Sequence, residues 1–399
     1  MMKRIYLLSI FLIFGLFSFA QTYNAQVENV INTVNLDSLI YQMRNLSGED
    51  EVVINDETTT IEHRVSNWGN NLAAQYIYET LENIGLEPTW DLYSMNGVNV
   101  YAVQEGSVYP DEYYMICAHY DAVDYYCADD NASGSAAVIE AARILSSMEF
   151  EYSIIYALWD EEEIGLIGSA DYAAIAASNG DVIHSVINMD MIAWDGDEDM
   201  VAEIHSSYTA NSNELSDYIV EIDEIYSLAI EPSVIIPGAG GTDHSSFWNN
   251  DYAAVVVSEE YYGGDFNPYY HTAQDRIAVL NMDYFHEMSK LCIASLTSFC
   301  HPILNTSVSE NRKSDAKHIQ VYPNPATTIA HITCRTPSSD FTQVTLLNNM
   351  GQSLLTLYQG EVIGESLNLE LPLNSLAKGI YFVKMESTNG SKTQKLMVE

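Results

Sequence analysis

The spacing of apolar positions changes several times along this chain. Residues 22–46 carry apolar side chains at helical spacing and are expected to pack on the main domain as a short lead-in, and a second amphipathic helix is predicted near 66–84, stopped by Gly85. From there strand-like runs at 97–104, 112–118, 152–159, 184–190 and 252–258 alternate with helix-like runs at 133–147, 167–178, 212–227 and 281–299. That alternation predicts an α/β domain with a mixed, largely parallel sheet sandwiched by helices. In such sheets, ligands gather at the carboxyl ends of strands.

The pattern changes again near residue 303. Segment 303–318 is polar and reads as a linker. Residues 319–399 hold short alternating runs separated by turn signals, the pattern of a small C-terminal all-β sandwich. At the other end, Met1-Met2-Lys3-Arg4 precedes an apolar run ending in Ser18-Phe19-Ala20. This predicts a signal peptide over 1–20, cleaved before Gln21, because the run is shorter than the ~20 residues a membrane span needs. The expected order is therefore leader 1–20, helical lead-in 21–59, α/β domain 60–302, linker 303–318 and β-sandwich 319–399.

The formal net charge is −41, and residues 306–399 hold eight acidic and eight basic residues, so all of it sits before them. Such a surface repels nucleic acid and anionic lipid, and no nucleic-acid partner is expected. Five cysteines leave at least one thiol unpaired, and the absence of a C-x-x-C pair argues against a thiolate metal site. Cys117 and Cys127 are the candidate disulfide.

Histidines and carboxylates fall just after the apolar runs, in Ala118-His119-Tyr120-Asp121, Ala128-Asp129-Asp130-Asn131, Asp160-Glu161-Glu162-Glu163, Asn188-Met189-Asp190 and Tyr270-His271-Thr272. Two imidazoles with several carboxylates form a donor set for a pair of divalent metals, zinc foremost. The expected arrangement puts His119 and Asp190 on one metal, Glu163 and His271 on the other, and Asp130 between them. Asp121, two residues after His119, is expected to hold the second imidazole nitrogen. Glu162 is expected to be the general base, and Asp160 and Glu161 ordinary surface charge. The Asp129-Asp130 pair is also placed to cap the helix that follows.

Taken together, the blocks AHYDAV, ADDNASGSAAVIEAARIL, LWDEEEIGLIGS, NMDM, TDHSSF and YHTAQD resemble the di-zinc aminopeptidases of metallopeptidase family 28, the bacterial leucyl-aminopeptidase type. The resemblance covers roughly 60–300 and implies metal ligation by His119, Asp130, Glu163, Asp190 and His271. It also implies a cis peptide after Asp130. Some members set a Tyr against the scissile carbonyl, and Tyr270 matches the Tyr that precedes the last ligand in some of them. Others place a Tyr a few residues before the block matched here by Thr242-Asp243-His244, where this chain has Gly238-Ala239-Gly240-Gly241. Asp243 and His244 are expected to support the site rather than bind metal.

The tail carries a second resemblance. Tyr322-Pro323-Asn324-Pro325, Asn349-Met350-Gly351-Gln352 and Leu376-Ala377-Lys378-Gly379-Ile380-Tyr381 are similar to the C-terminal sorting domain of type IX secretion. This implies engagement of that secretion machinery and a place at or beyond the surface of a bacterium with an outer membrane. The combined expectation is an exported, monomeric, two-zinc aminopeptidase acting on peptides with free amino termini. A zinc-bridged hydroxide would attack, with Glu162 as base. A carboxypeptidase or glutaminyl cyclase on the same scaffold, or a metal-stabilised surface adhesin, are the alternatives. A carboxypeptidase needs a cationic clamp, and between 21 and 305 only Arg44, Arg64, Arg143, Arg276 and Lys290 are available.

Overall fold

The computed structural model describes residues 22–65, 67–303 and 318–398, apart from 336–340, 349–352, 362–365, 375 and 388–389. The expected leader, residues 304–317 of the expected linker and the Asn349-Met350-Gly351-Gln352 block lie outside the described residues.

Two helices, α1 (Ala25–Thr33) and α2 (Leu36–Leu46), stand where one run was expected over 22–46. Asn24 and Asn35 account for the break. Each accepts a backbone N–H on its side-chain oxygen, from Gln26 and Ser38 respectively, and so caps its own helix. A hairpin of β1 (Val52–Ile54) and β2 (Glu57–Thr59) leads to α3 (Asn67–Ile84).

The main sheet then builds from β3 (Pro88–Leu92), β4 (Val98–Gln104), β5 (Tyr109–His119), β6 (Tyr152–Trp159), β7 (Val182–Met189), β8 (Val201–His205), β9 (Glu231–Ile235) and β10 (Ala254–Ser258). Between them run α4 (Gly134–Leu145), α5 (Ile167–Asn179), α6 (Ser212–Tyr226) and α7 (His244–Trp248), and α8 (Met282–Phe299) closes the domain. The strand order is β3-β4-β6-β5-β7-β10-β8-β9. The four central strands, β6, β5, β7 and β10, are parallel, and β4 and β8 flank them antiparallel. This is the expected mixed sheet between helices. The three strands the apolar pattern did not predict, β3, β8 and β9, lie outside that central block. β3 and β9 are sheet edges containing a proline, which an edge tolerates because one side of the strand makes no ladder.

On one face of the sheet, Ile116, Tyr156, Ile187 and Val257 share a single core with Val30, Leu39, Met43 and Leu46 of the lead-in helices. On the other, Met115, Cys117, Ile155 and Trp159 pack on Ala173, Ala176 and Phe247 from α5 and α7. All five cysteines are free and buried, which corrects the candidate Cys117–Cys127 disulfide. Strand alternation turns Cys117 to the α5/α7 face, while Cys127 lies in a loop whose carbonyl binds Arg64.

The tail is a separate sandwich with its own core. Strands β11 (His318–Tyr322), β12 (Ile329–Arg335) and β15 (Ser366–Pro372) form one sheet. Strands β13 (Phe341–Asn348), β14 (Ser353–Glu361), β16 (Gly379–Ser387) and β17 (Gly390–Val398) form the other. It touches the first domain where the Tyr41 hydroxyl donates to the Asn324 carbonyl at 2.9 Å and the Arg143 guanidinium lies 4.7 Å over the Tyr322 ring.

Candidate metal centre

Adjacent strand ends bring the sequence-predicted residues together. His119 ends β5, Asp190 follows β7, and Glu162 and Glu163 lie in the turn after β6. Asp130 arrives on the loop before α4, and His271 on the long loop between β10 and α8. Gly134 makes the close approach of that first loop workable. A Cβ there would come within 2.4 Å of the Met189 carbonyl, so α4 starts directly against the end of β7. The Asp130–Asn131 peptide is cis, as the family resemblance implied.

The five expected ligands form two triads sharing one residue. His119 Nε2 lies 3.4 Å from Asp130 Oδ1 and 3.4 Å from Asp190 Oδ1. His271 Nε2 lies 3.2 Å from Asp130 Oδ2 and 3.1 Å from Glu163 Oε2. The two oxygens of Asp130 thus face opposite triads. The donors are the nitrogen and oxygen atoms that suit a borderline cation such as zinc. Two buried oxygens in this set, Asp130 Oδ2 and Glu163 Oε1, accept no hydrogen bond, which fits a site that a cation completes.

Asp121 does more than hold an imidazole. His119 Nδ1 is 3.4 Å from its Oδ1 and 3.2 Å from its main-chain oxygen. Its carboxylate also accepts the backbone N–H of Glu162 at 3.1 Å and of Glu163 at 3.2 Å. One side chain therefore sets both an imidazole and the turn carrying the acidic pair.

Burial pushes the Glu162 carboxyl up to about 10, with His119 pulling the other way, and pushes Glu163 up to about 9. Burial also pushes Asp130 up, but the imidazoles of His119 and His271 outweigh it and hold that group well below the ordinary range. So many carboxylates in one pocket repel each other, and divalent cations would relieve that repulsion. Tyr270 stacks on His271 with ring centroids 3.6 Å apart. Burial and then the surrounding carboxylates raise its phenol, which stays a proton donor.

Two expectations for the acidic residues fail. Asp160 is buried rather than surface charge. Its oxygens accept the Asn70 amide at 2.7 Å and the Val98 N–H at 2.9 Å, fastening the β6 turn to α3 and β4. Glu161, for its part, accepts the Tyr93 hydroxyl at 3.0 Å. The Asp129-Asp130 pair does not cap α4 either, because Asn131 Oδ1 takes the Gly134 N–H at 2.9 Å. Asp243 and His244 are buried beside the centre. Burial pushes Asp243 up to about 7 and His244 down to about 3.

Several supporting residues were not predicted. Asp275 accepts the N–H of Asp129 at 3.0 Å and of Asp130 at 3.0 Å, so it fixes the backbone at Asp130. Its position in YHTAQD was the only available signal. Arg64, 1% exposed, donates to the carbonyls of Leu46, Tyr120, Tyr126 and Cys127 at 2.6–2.9 Å. It ties α2 to both ends of the loop that runs from His119 to Ala128. A pocket of about 130 Å³ opens beside Glu162 and Glu163, walled by Met191, Val256, Phe266 and Tyr270.

Residues 99–296 match the model of peptidase family M28, and residues 320–399 match that of a secretion system C-terminal sorting domain. A probable leucine aminopeptidase of Arthroderma benhamiae is 29% identical over 182 residues, 43% of this chain. The chain spans only 47% of that relative. The fold is similar to the Legionella pneumophila LapA aminopeptidase, with a TM-score of 0.61 and 20% identity, covering 70% of this chain and 76% of that one. It is also similar to a Bacteroides thetaiotaomicron glutaminyl cyclase, at 0.54 and 15%, over 66% and 98%.

Proposed function

Because residues 99–296 are a peptidase family M28 domain, we propose that the protein is an exported zinc aminopeptidase that hydrolyses the first peptide bond of substrates with a free amino terminus. His119 and Asp190 would hold one zinc, Glu163 and His271 a second, with Asp130 shared between them. The observation that carries the reading is the split of Asp130, one oxygen toward each triad at 3.4 and 3.2 Å. Zinc held there supplies Lewis acidity and makes a water acidic enough to react near neutral pH.

This chain's own residues do the rest. Glu162, held by the Asp121 carboxylate through its backbone N–H, takes the proton of the attacking water and returns it to the leaving amine. The Tyr270 hydroxyl, kept protonated, donates to the oxygen that gains charge on the scissile carbonyl. The carboxylates around the centre hold the cationic amino terminus, while the pocket walled by Met191, Val256 and Phe266 takes the first side chain. The sorting domain supports a place outside the cell or on its surface, reached through the secretion machinery that such a tail addresses.

A panel of aminoacyl anilides, with and without blocked amino termini, tests the reading. Free-amine substrates are expected to turn over, with loss on chelation and recovery on adding zinc. Turnover of blocked substrates alone overturns it. Because the fold is shared with a glutaminyl cyclase, the panel includes a glutaminyl peptide. Cyclisation without hydrolysis of the other anilides would select that chemistry instead.

A further inference from the structure

A second concavity lies across β6 from the pocket. Trp68, Asn71 and Gln75 of α3, Trp90 and Leu92 of β3 and Met95 of the β3–β4 turn line a groove of about 390 Å³. Trp68, Leu92 and Met95 are 60, 61 and 93% exposed. No charged side chain lines the groove, although the −41 is concentrated on this part of the chain. Exposed apolar side chains grouped around one concavity are a feature shared with ligand-binding grooves. The carboxamides of Asn55, Asn71, Gln75 and Asn96 add donors and acceptors of the sort a peptide backbone needs.

Its place in the sheet says what would lie in it. The pocket sits over the β7–β10–β8 side, drawing Val256 from β10 and His205 from β8. The groove sits over β3 and β4, and β6, whose end carries Glu162, lies between. Two contacts bring the groove up to the centre. Tyr93, next to Leu92, bonds Glu161, the neighbour of Glu162. Trp68 packs edge-on against His63 at 6.5 Å, and His63 packs on Tyr125 at 5.4 Å, in the loop leading to Asp130.

We propose that this groove receives the peptide chain downstream of the scissile bond and favours neutral, apolar side chains there. The proposal rests on the aminopeptidase reading. With the first side chain in the pocket, the chain passes Glu162 and leaves toward β4 and β3. The groove's neutrality argues for an uncharged occupant, since the surrounding acid would favour cations anywhere else on this face.

The experiment measures kcat/KM for leucine p-nitroanilide and for two hexapeptides, Leu-Gly-Gly-Phe-Leu-Gly and Leu-Gly-Gly-Ser-Ser-Gly. The apolar peptide is expected to exceed the serine peptide by about tenfold. Trp68→Ala with Trp90→Ala should bring that ratio close to one. Met95→Asp, at a side chain that supports no core, should lower the same ratio and guards against a misfolded double variant. Equal values for the two peptides, or a preference that survives these changes, overturn the groove. A glycan or a segment of the protein itself as the true occupant would give that result. The anilide separates the two readings: if wild type does not cleave it, the aminopeptidase assignment fails, and if it does but the peptides are equal, only the groove fails.

Discussion

Asp121→Asn isolates what a single carboxylate does for the centre. The side chain accepts two backbone N–H groups, from Glu162 at 3.1 Å and Glu163 at 3.2 Å, and stands 3.4 Å from His119 Nδ1. Asparagine keeps one acceptor and sets an amide N–H against the other donor. A hydrogen bond to a charged acceptor is worth about 1.5–3 kcal/mol, and the buried donor left behind adds to the loss. Some 2–3 kcal/mol of misplacement in the Glu162 turn corresponds to a fall in kcat of about 30–150-fold, at 1.36 kcal/mol per decade. KM for a leucyl anilide should change little, because Asp121 is read as acting through Glu162 and not on substrate. Zinc affinity should fall about tenfold or more, since the support of His119 is weakened as well. Steady-state kinetics at saturating zinc, with metal analysis after dialysis, read the two effects separately. A variant with wild-type kcat and wild-type zinc content would refute the role.

Three further outcomes follow from the same geometry. Glu162→Gln should keep its metal while losing several orders of magnitude in kcat; near-normal turnover of the metal-loaded variant removes Glu162 as the base. Stripping the metal should make stability fall as pH rises. Glu162, Glu163, Asp243 and Asp275, raised to about 10, 9, 7 and 8 chiefly by burial, hold protons in the folded state that the unfolded chain has released above about pH 5. Each such proton weakens the stripped protein by about 1.4 kcal/mol per pH unit over that window. Thermal melts from pH 5 to 8 check this, and a metal-free protein that melts at one temperature throughout contradicts it. Arg64→Met removes the Arg64 donors from four main-chain carbonyls, of which Cys127 alone keeps another among the described residues, the Ala132 N–H, and should cost about 3 kcal/mol or more, a drop of roughly 6–12 °C in melting temperature. An unchanged melting point would show that Arg64 is not a strut.

The residues legible in advance were those whose chemistry is local. A histidine or acid directly after an apolar strand falls at a strand end wherever the strand lies, so His119, Glu163 and Asp190 could be read from position alone. The central strands were legible for a related reason, since strands buried on both faces read as continuous apolar runs. What escaped depends on contacts distant in sequence. Asp160 looks like any member of an acidic run until Asn70 and Val98 close over it. Arg64 bonds only main-chain oxygens, which leave no trace in side-chain identity. The opening segment was expected to pack on the main domain, but nothing in 22–46 shows that Leu39 and Met43 meet the same core as Ile187. For Asp275, the partner is the backbone of a loop some 145 positions away.

That shared core has a consequence in time. Leu39 and Met43 of α2 share it with Met288, Leu291 and Leu296 of α8, near the end of the domain. A chain made from its amino end therefore holds half of this contact through most of its synthesis, and the other half leaves the ribosome only after nearly 300 residues. Domains fold as units as they emerge, so this one has no early stopping point at which its core is closed.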